Sequence, residues 1–168
     1  MTEIYSIVDS PIGGLLVGAA GPGAPLRRLW FTGEGVRRRA VVIDPTWRRD
    51  DGAFGEVRAQ LREYFDGTRH TFDLGLDLIG SEWERRVWAA LRAIPYGETR
   101  SYGELAASLG APAAARAVGL ANGRNPVAVI VPCHRVIGAD GSLTGFGGGI
   151  ERKRRLLDLE AGRLALTG

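Results

Sequence analysis

Cysteine is nearly absent: Cys133 is the single thiol in 168 residues. One thiol forms no internal disulfide and builds no zinc site that needs two or more thiolates, and it fits a reducing compartment. Lysine is as scarce, with Lys153 alone among 22 basic residues, and histidine occurs only at His70 and His134. No apolar run approaches the roughly 18–20 residues that cross a bilayer. The opening MTEIYSIVDS lacks the basic-then-apolar layout of a signal peptide. A soluble intracellular protein is the expectation. With 45% hydrophobic and 24% charged residues, the chain has material for one large domain or two small ones and too little charge for disorder.

The charge that is present is unevenly spread. Residues 1–80 carry 10 arginines against 11 acids, and residues 81–168 carry 12 basic residues against 8 acids. The basic character, within a net charge of +3, therefore belongs to the second half. The planar guanidinium fork suits phosphate and base contacts. An excess this small fits a nucleic-acid partner and a solvated arginine surface equally well.

The first part of the chain is β-rich. EIYSIVDS alternates, PIGG turns, and LLVGAAG and LRRLWFTG follow as strands around the loop GPGAP. DGAFGEVRAQLREYFDG sets Phe54, Val57, Leu61, Tyr64 and Phe65 at helical spacing and stops at Gly67. TFDLGLDL alternates strictly, with Phe72, Leu74, Leu76 and Leu78 on one face, and predicts a strand. His70, just before it, has no second ligand at useful spacing and reads as a solvated loop residue.

A second unit begins near Ile79. SEWERRVWAALRAIPYG has Ser81 and Glu84 at capping-box spacing, a stripe of Trp83, Val87, Trp88, Leu91 and Ile94, and a stop at Pro95. TRSYGELAASLGAPAAARAVGLANGRNP predicts two short helices. Ser101 and Glu104 box the first, which shows Leu105, Ala106 and Leu109 on one face and ends at Gly110. The second runs from about Pro112 to Ala121 and is built almost wholly of Ala, Gly and Val, with Arg116 its one long side chain. Such a pair around a glycine turn is a helix-turn-helix candidate. VAVIV predicts a buried strand and VIGADGSLTGFGGG a turn-rich loop. IERKRRLLDLEAGRL predicts a helix with the stripe Ile150, Leu156, Leu157 and Leu164. Glu160 shares that stripe, a costly place for an acid unless it finds a partner or reaches solvent.

The chemistry concentrates at Pro132–Cys133–His134–Arg135. A protonated thiol is a poor nucleophile; an imidazole can hold or take its proton, and an acid can orient the imidazole. Cys133, His134 and Glu160 supply that set. Neighbours on a strand point to opposite faces, so the pair needs a turn at Pro132 or a bridging water to communicate. A buried structural cysteine is the plainer alternative.

The stretch ARAVGLANGRNPVAVIVPCHRVIGADGSLTGFGGGIERKRRLLDLE closely resembles the signature region of the O6-alkylguanine-DNA alkyltransferases. The match covers residues 81–160, and SPIGGL looks like the family's opening hairpin. The resemblance implies an α+β two-domain fold. A small ribonuclease-H-like sheet-plus-helix domain would span residues 1–76, and a mainly helical domain with a helix-turn-helix would span residues 77–168. It implies one-way transfer of an alkyl group from O6 of guanine in DNA to Cys133, after the nucleotide is flipped out. On the same resemblance His134 takes the thiol proton through a water, Glu160 orients it, Tyr102 donates a proton to the departing guanine, and Asn125 ties the recognition helix to the active-site turn. Val136, Phe146 and Gly147 line the base pocket. Arg116 fills the gap left by the base, and Ala115, Ala117, Arg124 and Arg135 are further DNA-binding residues.

The partner implied is duplex DNA carrying O6-alkylguanine, approached from the minor groove by a monomer that can assemble cooperatively. No membrane, no cofactor and no metal are implied, since the N-terminal zinc site of some members needs cysteines this chain lacks. A cytoplasmic, nucleoid-associated location follows from the same reading. Phe146 stands where a tyrosine is common, so any hydroxyl contact there is lost. Two rivals remain at the level of sequence. A lesion-binding module would make no covalent product, and a Cys-His hydrolase would turn over more than once.

Overall fold

The computed structural model describes residues 2–33 and 43–163. Three strands, β1 (Ile4–Val8), β2 (Leu15–Ala19) and β3 (Leu26–Phe31), form an antiparallel meander. A two-residue strand, β4 (Arg48–Arg49), pairs parallel with β1, giving the order β3-β2-β1-β4. The PIGG turn closes the first hairpin, as its sequence predicts. A 3-10 turn, Asp51–Phe54, leads into helix α1 (Gly55–Phe65). The stripe of α1 buries Val57, Leu61, Tyr64 and Phe65.

The second half holds α2 (Glu82–Arg92), β5 (Arg100–Ser101), α3 (Tyr102–Ser108) and α4 (Ala115–Gly123). A 3-10 turn at Cys133–Arg135, β6 (Val136–Ile137) and α5 (Ile150–Glu160) follow. Both capping boxes form, Ser81 with Glu84 and Ser101 with Glu104. Trp88 sends its indole N–H 2.9 Å to the Ala121 carbonyl and so fastens α4 to α2. One apolar core runs through both halves, joining Leu29, Phe31 and Tyr64 to Val87, Trp88, Val127 and Leu156. Among the described residues no helix is long and apolar enough to cross a membrane.

Four expectations from periodicity are corrected. TFDLGLDL is no ladder strand: only Leu76 bridges, to Leu26, while Asp73 is held by Gln60 of α1 and Phe72 packs on Tyr64. The edge of β3 is shared, since Leu29 bridges Val127 further along. VAVIV is buried but is not a strand either. After the single bridge at Val127 the chain rolls into a tight turn, so burial on all sides explains its apolarity. Helix α4 starts at Ala115, leaving Pro112 in the preceding turn. The buried face of α5 is Lys153, Leu156, Leu159 and Glu160, rotated from the expected stripe; Leu164 lies outside the described residues.

Candidate active site

Cys133 sits on a turn whose backbone is locked from within. Asn125 is fully buried and holds the turn at both ends. Its Oδ1 accepts from the Val127 N–H at 3.0 Å, and its Nδ2 donates to the Val131 carbonyl at 2.8 Å. Val131 N–H closes the loop onto the Val127 carbonyl at 3.0 Å. Between them Val129 is held at φ 70°, in the left-handed region. A β-branched residue there costs about 1–3 kcal/mol, so the surrounding bonds over-determine this backbone. The turn also answers the opposite-faces objection, because Cys133 and His134 lie on a 3-10 turn, where strand alternation does not apply.

His134 is wholly buried, and its Nε2 lies 2.7 Å from Glu160 Oε2. An ionised carboxylate only accepts, so Nε2 carries the proton and Nδ1 presents a lone pair. Nδ1 is buried with no hydrogen-bond partner among the described residues. The imidazole is thus oriented at one nitrogen and left basic at the other, the state a proton acceptor needs.

Glu160 has the partners that its place on a buried helix face requires. Oε2 accepts from His134, from the Tyr64 hydroxyl at 2.6 Å and from Arg135 Nη2 at 3.0 Å, while Oε1 accepts from Arg135 Nε at 2.7 Å. Burial alone would push this carboxyl up, but the charges and hydrogen bonds of His134 and Arg135 outweigh it. They hold Glu160 well below the usual carboxylate range. Arg135, expected at the DNA surface, is corrected here. Its side chain is buried, and Nη1 donates to the Ile94 carbonyl at 2.6 Å, so the guanidinium belongs to the Glu160 cluster.

Lys153, which residue pattern does not single out, interacts with the thiol as well. It is fully buried, and its Nζ donates to the carbonyls of Val136 at 2.6 Å and Thr144 at 3.2 Å. Burial pushes the ammonium down to about 8, while the nearby Cys133 charge opposes the drop. A hint was available: the one lysine in an arginine-rich chain occupies a helix position facing the core. Asn122, also unforeseen, is buried and donates to the Cys133 carbonyl at 3.4 Å.

Tyr102 opens α3 directly after β5, and the β5–β6 pairing of Arg100 with Val136 carries it beside the Cys133 turn. Its hydroxyl oxygen accepts from Thr144 Oγ1 at 3.0 Å, leaving its own proton to donate elsewhere. Phe146 is buried against Phe31 with ring centroids 5.5 Å apart. Beside it, Gly148 has no room for a side chain, since a Cβ there would lie 2.5 Å from the Phe31 ring. Gly147 is half-buried between these two. Val136 offers its carbonyl to Lys153.

The outer face of α4 carries Arg116 and Ala117, both exposed, with Ala115 half-exposed at its start and Leu120 exposed one turn on. Arg124, also exposed, pairs with Glu84 at 3.6 Å. His70 stays exposed and stacks on Tyr96 at 3.9 Å. Among the described residues no three His, Cys, Asp or Glu side chains lie together as metal ligands.

Comparison with known proteins places this arrangement among relatives. Residues 82–162 match the family described as 6-O-methylguanine DNA methyltransferase, DNA binding domain, and residues 4–78 match its ribonuclease-like domain. A Mycobacterium tuberculosis methylated-DNA–protein-cysteine methyltransferase is 56% identical over 162 residues, covering 95% of this chain and 93% of the relative. A Methanosarcina acetivorans protein of the same name is 47% identical over 156 residues, covering 93% and 97%. The crystal structure of Mycobacterium tuberculosis OGT in complex with DNA superimposes with TM-score 0.84 at 55% identity, covering 95% of this chain and 94% of that one.

Proposed function

The chain belongs to the 6-O-methylguanine DNA methyltransferase family, and from that premise we propose how its residues divide the work of direct-reversal DNA repair, in which an alkyl group passes from O6 of guanine to Cys133. The thiol proton passes through one water to Nδ1 of His134, whose other nitrogen is fixed on Glu160. The sulfur forms its bond to the alkyl carbon as the carbon–O6 bond breaks. The guanine leaves with a proton from the Tyr102 hydroxyl, which Thr144 has oriented for donation. The product is a thioether with no second thiol in the chain to resolve it, so one molecule repairs one lesion.

DNA binding follows from the shape of α4. Ala115, Ala117 and the glycines present little bulk, so the helix approaches a minor groove closely, with Arg116 reaching the space vacated by a flipped nucleotide. Arg124 contributes charge toward phosphate once it releases Glu84. The base enters beside Phe146 and Gly147, where the main chain at Cys133, Val136 and Gly147 meets its polar edge.

The observation that carries this reading is the buried contact of Glu160 with His134 Nε2, which leaves Nδ1 of the residue next to Cys133 without a hydrogen-bond partner among the described residues. The test is incubation with duplex DNA containing one O6-methylguanine, followed by intact and peptide mass analysis. The expected result is one methyl group on Cys133 and one lesion removed per protein. An unmodified protein bound to the lesion would show a binding module instead, and turnover beyond one a hydrolytic enzyme.

A further inference from the structure

Helix α1 belongs to the first half of the chain, yet one of its side chains ends inside the relay. We propose that Tyr64 is a positioning residue for alkyl transfer, its hydroxyl donating to the same Glu160 oxygen that holds His134 and setting how strongly that oxygen attracts the imidazole proton. This rests on the reading of the relay given above, and it assigns the sheet-bearing half of the chain a part in the chemistry.

The geometry is specific. Tyr64 is fully buried, with its hydroxyl 2.6 Å from Glu160 Oε2, and His134 Nε2 lies 2.7 Å from that same atom. The ring is wedged by Phe65 at 5.2 Å, Phe72 at 5.4 Å and Tyr96 at 6.3 Å between centroids, so the hydroxyl has one direction to point. Burial first, and the Glu160 charge second, keep the phenol protonated well above its ordinary range, so it stays a donor at every working pH. Apolar packing alone would be served by phenylalanine, and a hydroxyl buried here needs an acceptor.

The groups facing Glu160 are Tyr64 from α1, Tyr96 from the segment after α2, and His134 and Arg135 from the 3-10 turn, while Lys153 interacts with Cys133. Arg135 offsets the carboxylate charge by ion pairing. The Tyr64 hydroxyl offsets it further by donating a hydrogen bond to Oε2. Removing that donor leaves a more basic oxygen, which favours the imidazolium to higher pH.

The sign of the test follows. In Tyr64→Phe, the acid limb of the pH–rate profile for alkyl transfer from free O6-alkylguanine base should move to higher pH by about half a unit. On the acid limb the variant is then about threefold slower than wild type, and above it the two rates converge. Loss of packing alone would lower the whole profile without moving it. Phe72→Leu disturbs the ring cluster and spares the hydroxyl; it should lose stability and keep the wild-type limbs. A ring-fluorinated tyrosine at position 64 keeps the size, donates more strongly and should move the acid limb down, which tests the idea even if the phenylalanine variant folds poorly. An acid limb that stays at the wild-type pH in both Tyr64 variants overturns the role. A wild-type protein that takes no alkyl group on Cys133 overturns the repair reading itself, and this role with it.

Discussion

Arg135 grips both oxygens of Glu160, Nε on Oε1 at 2.7 Å and Nη2 on Oε2 at 3.0 Å. A two-pronged guanidinium contact of this kind is not reproduced by an ammonium. Leaving a buried carboxylate without its partner costs about 3–5 kcal/mol. Arg135→Lys should therefore lower unfolding free energy, by about 2 kcal/mol or more in urea titrations, and slow alkyl transfer. Its effect on DNA should be negligible. A phosphate-contacting arginine changes the slope of log affinity against log salt by about one when removed, and Arg135→Lys or Arg135→Leu should leave that slope where it is. A reduced slope for the leucine variant would return Arg135 to the DNA surface.

Glu160→Gln should separate chemistry from binding. The neutral amide no longer stabilises an imidazolium, so alkyl transfer from free base should fall by about a hundredfold or more, with affinity for undamaged duplex unchanged. The stability signature has a fixed sign. Glu160 is held below its unfolded value near 4.5, so the folded state binds fewer protons as pH falls past that value. Its contribution is complete above about pH 4.5 and fades below it. Urea titrations at pH 7 and pH 3 should show wild type ahead of the variant at pH 7 and the gap shrinking at pH 3. A gap that persists would mean the carboxylate charge is not what stabilises the cluster.

Arg116→Ala should discriminate between substrates. Arg116 is exposed on α4, far in role from the buried relay. Its loss should slow repair of O6-methylguanine in duplex DNA by about tenfold or more, since flipping costs a few kcal/mol and the guanidinium offsets part of it. Reaction with the free base needs no flipping and should keep its wild-type rate. Equal losses on both substrates would place Arg116 in the chemistry or in the fold.

Much of this was legible in the residues themselves. Both capping boxes and the stops at Pro95 and Gly110 follow from local pattern, and residue type alone singles out Cys133, His134 and Glu160, of which the structure brings His134 and Glu160 together. The errors share a cause. Periodicity reports burial rather than pairing: VAVIV is buried and TFDLGLDL half-buries Phe72, Leu74, Leu76 and Leu78, and neither forms a ladder strand. Side-chain direction was beyond it as well. Tyr64 counted as one more aromatic on a helix stripe, and only the packing of α1 against the end of α5 shows where its hydroxyl goes. The resemblance puts Arg135 among the DNA-binding residues, and the carboxylate that buries it lies 25 positions away in the chain.

Lys153 bears on both stability and rate. Its ammonium is buried, held by the Val136 and Thr144 carbonyls, and titrates at about 8 against an ordinary 10.5. Below pH 8 the folded protein carries the cost of burying that charge. Between pH 8 and 10.5 the folded state has released the proton while the unfolded chain still holds it, so stability from this group rises with pH across that window. The rise amounts to about 3 kcal/mol at most. Lys153→Met keeps the length and removes the charge, so its unfolding free energy should lack this alkaline gain relative to wild type. The same ammonium faces Cys133 and favours the thiolate over the thiol. The methionine variant should therefore react with free O6-alkylguanine about tenfold more slowly at neutral pH and recover part of that loss as pH rises and the thiol ionises unaided. A variant with the wild-type rate at pH 7 would confine Lys153 to holding the Val136 and Thr144 carbonyls.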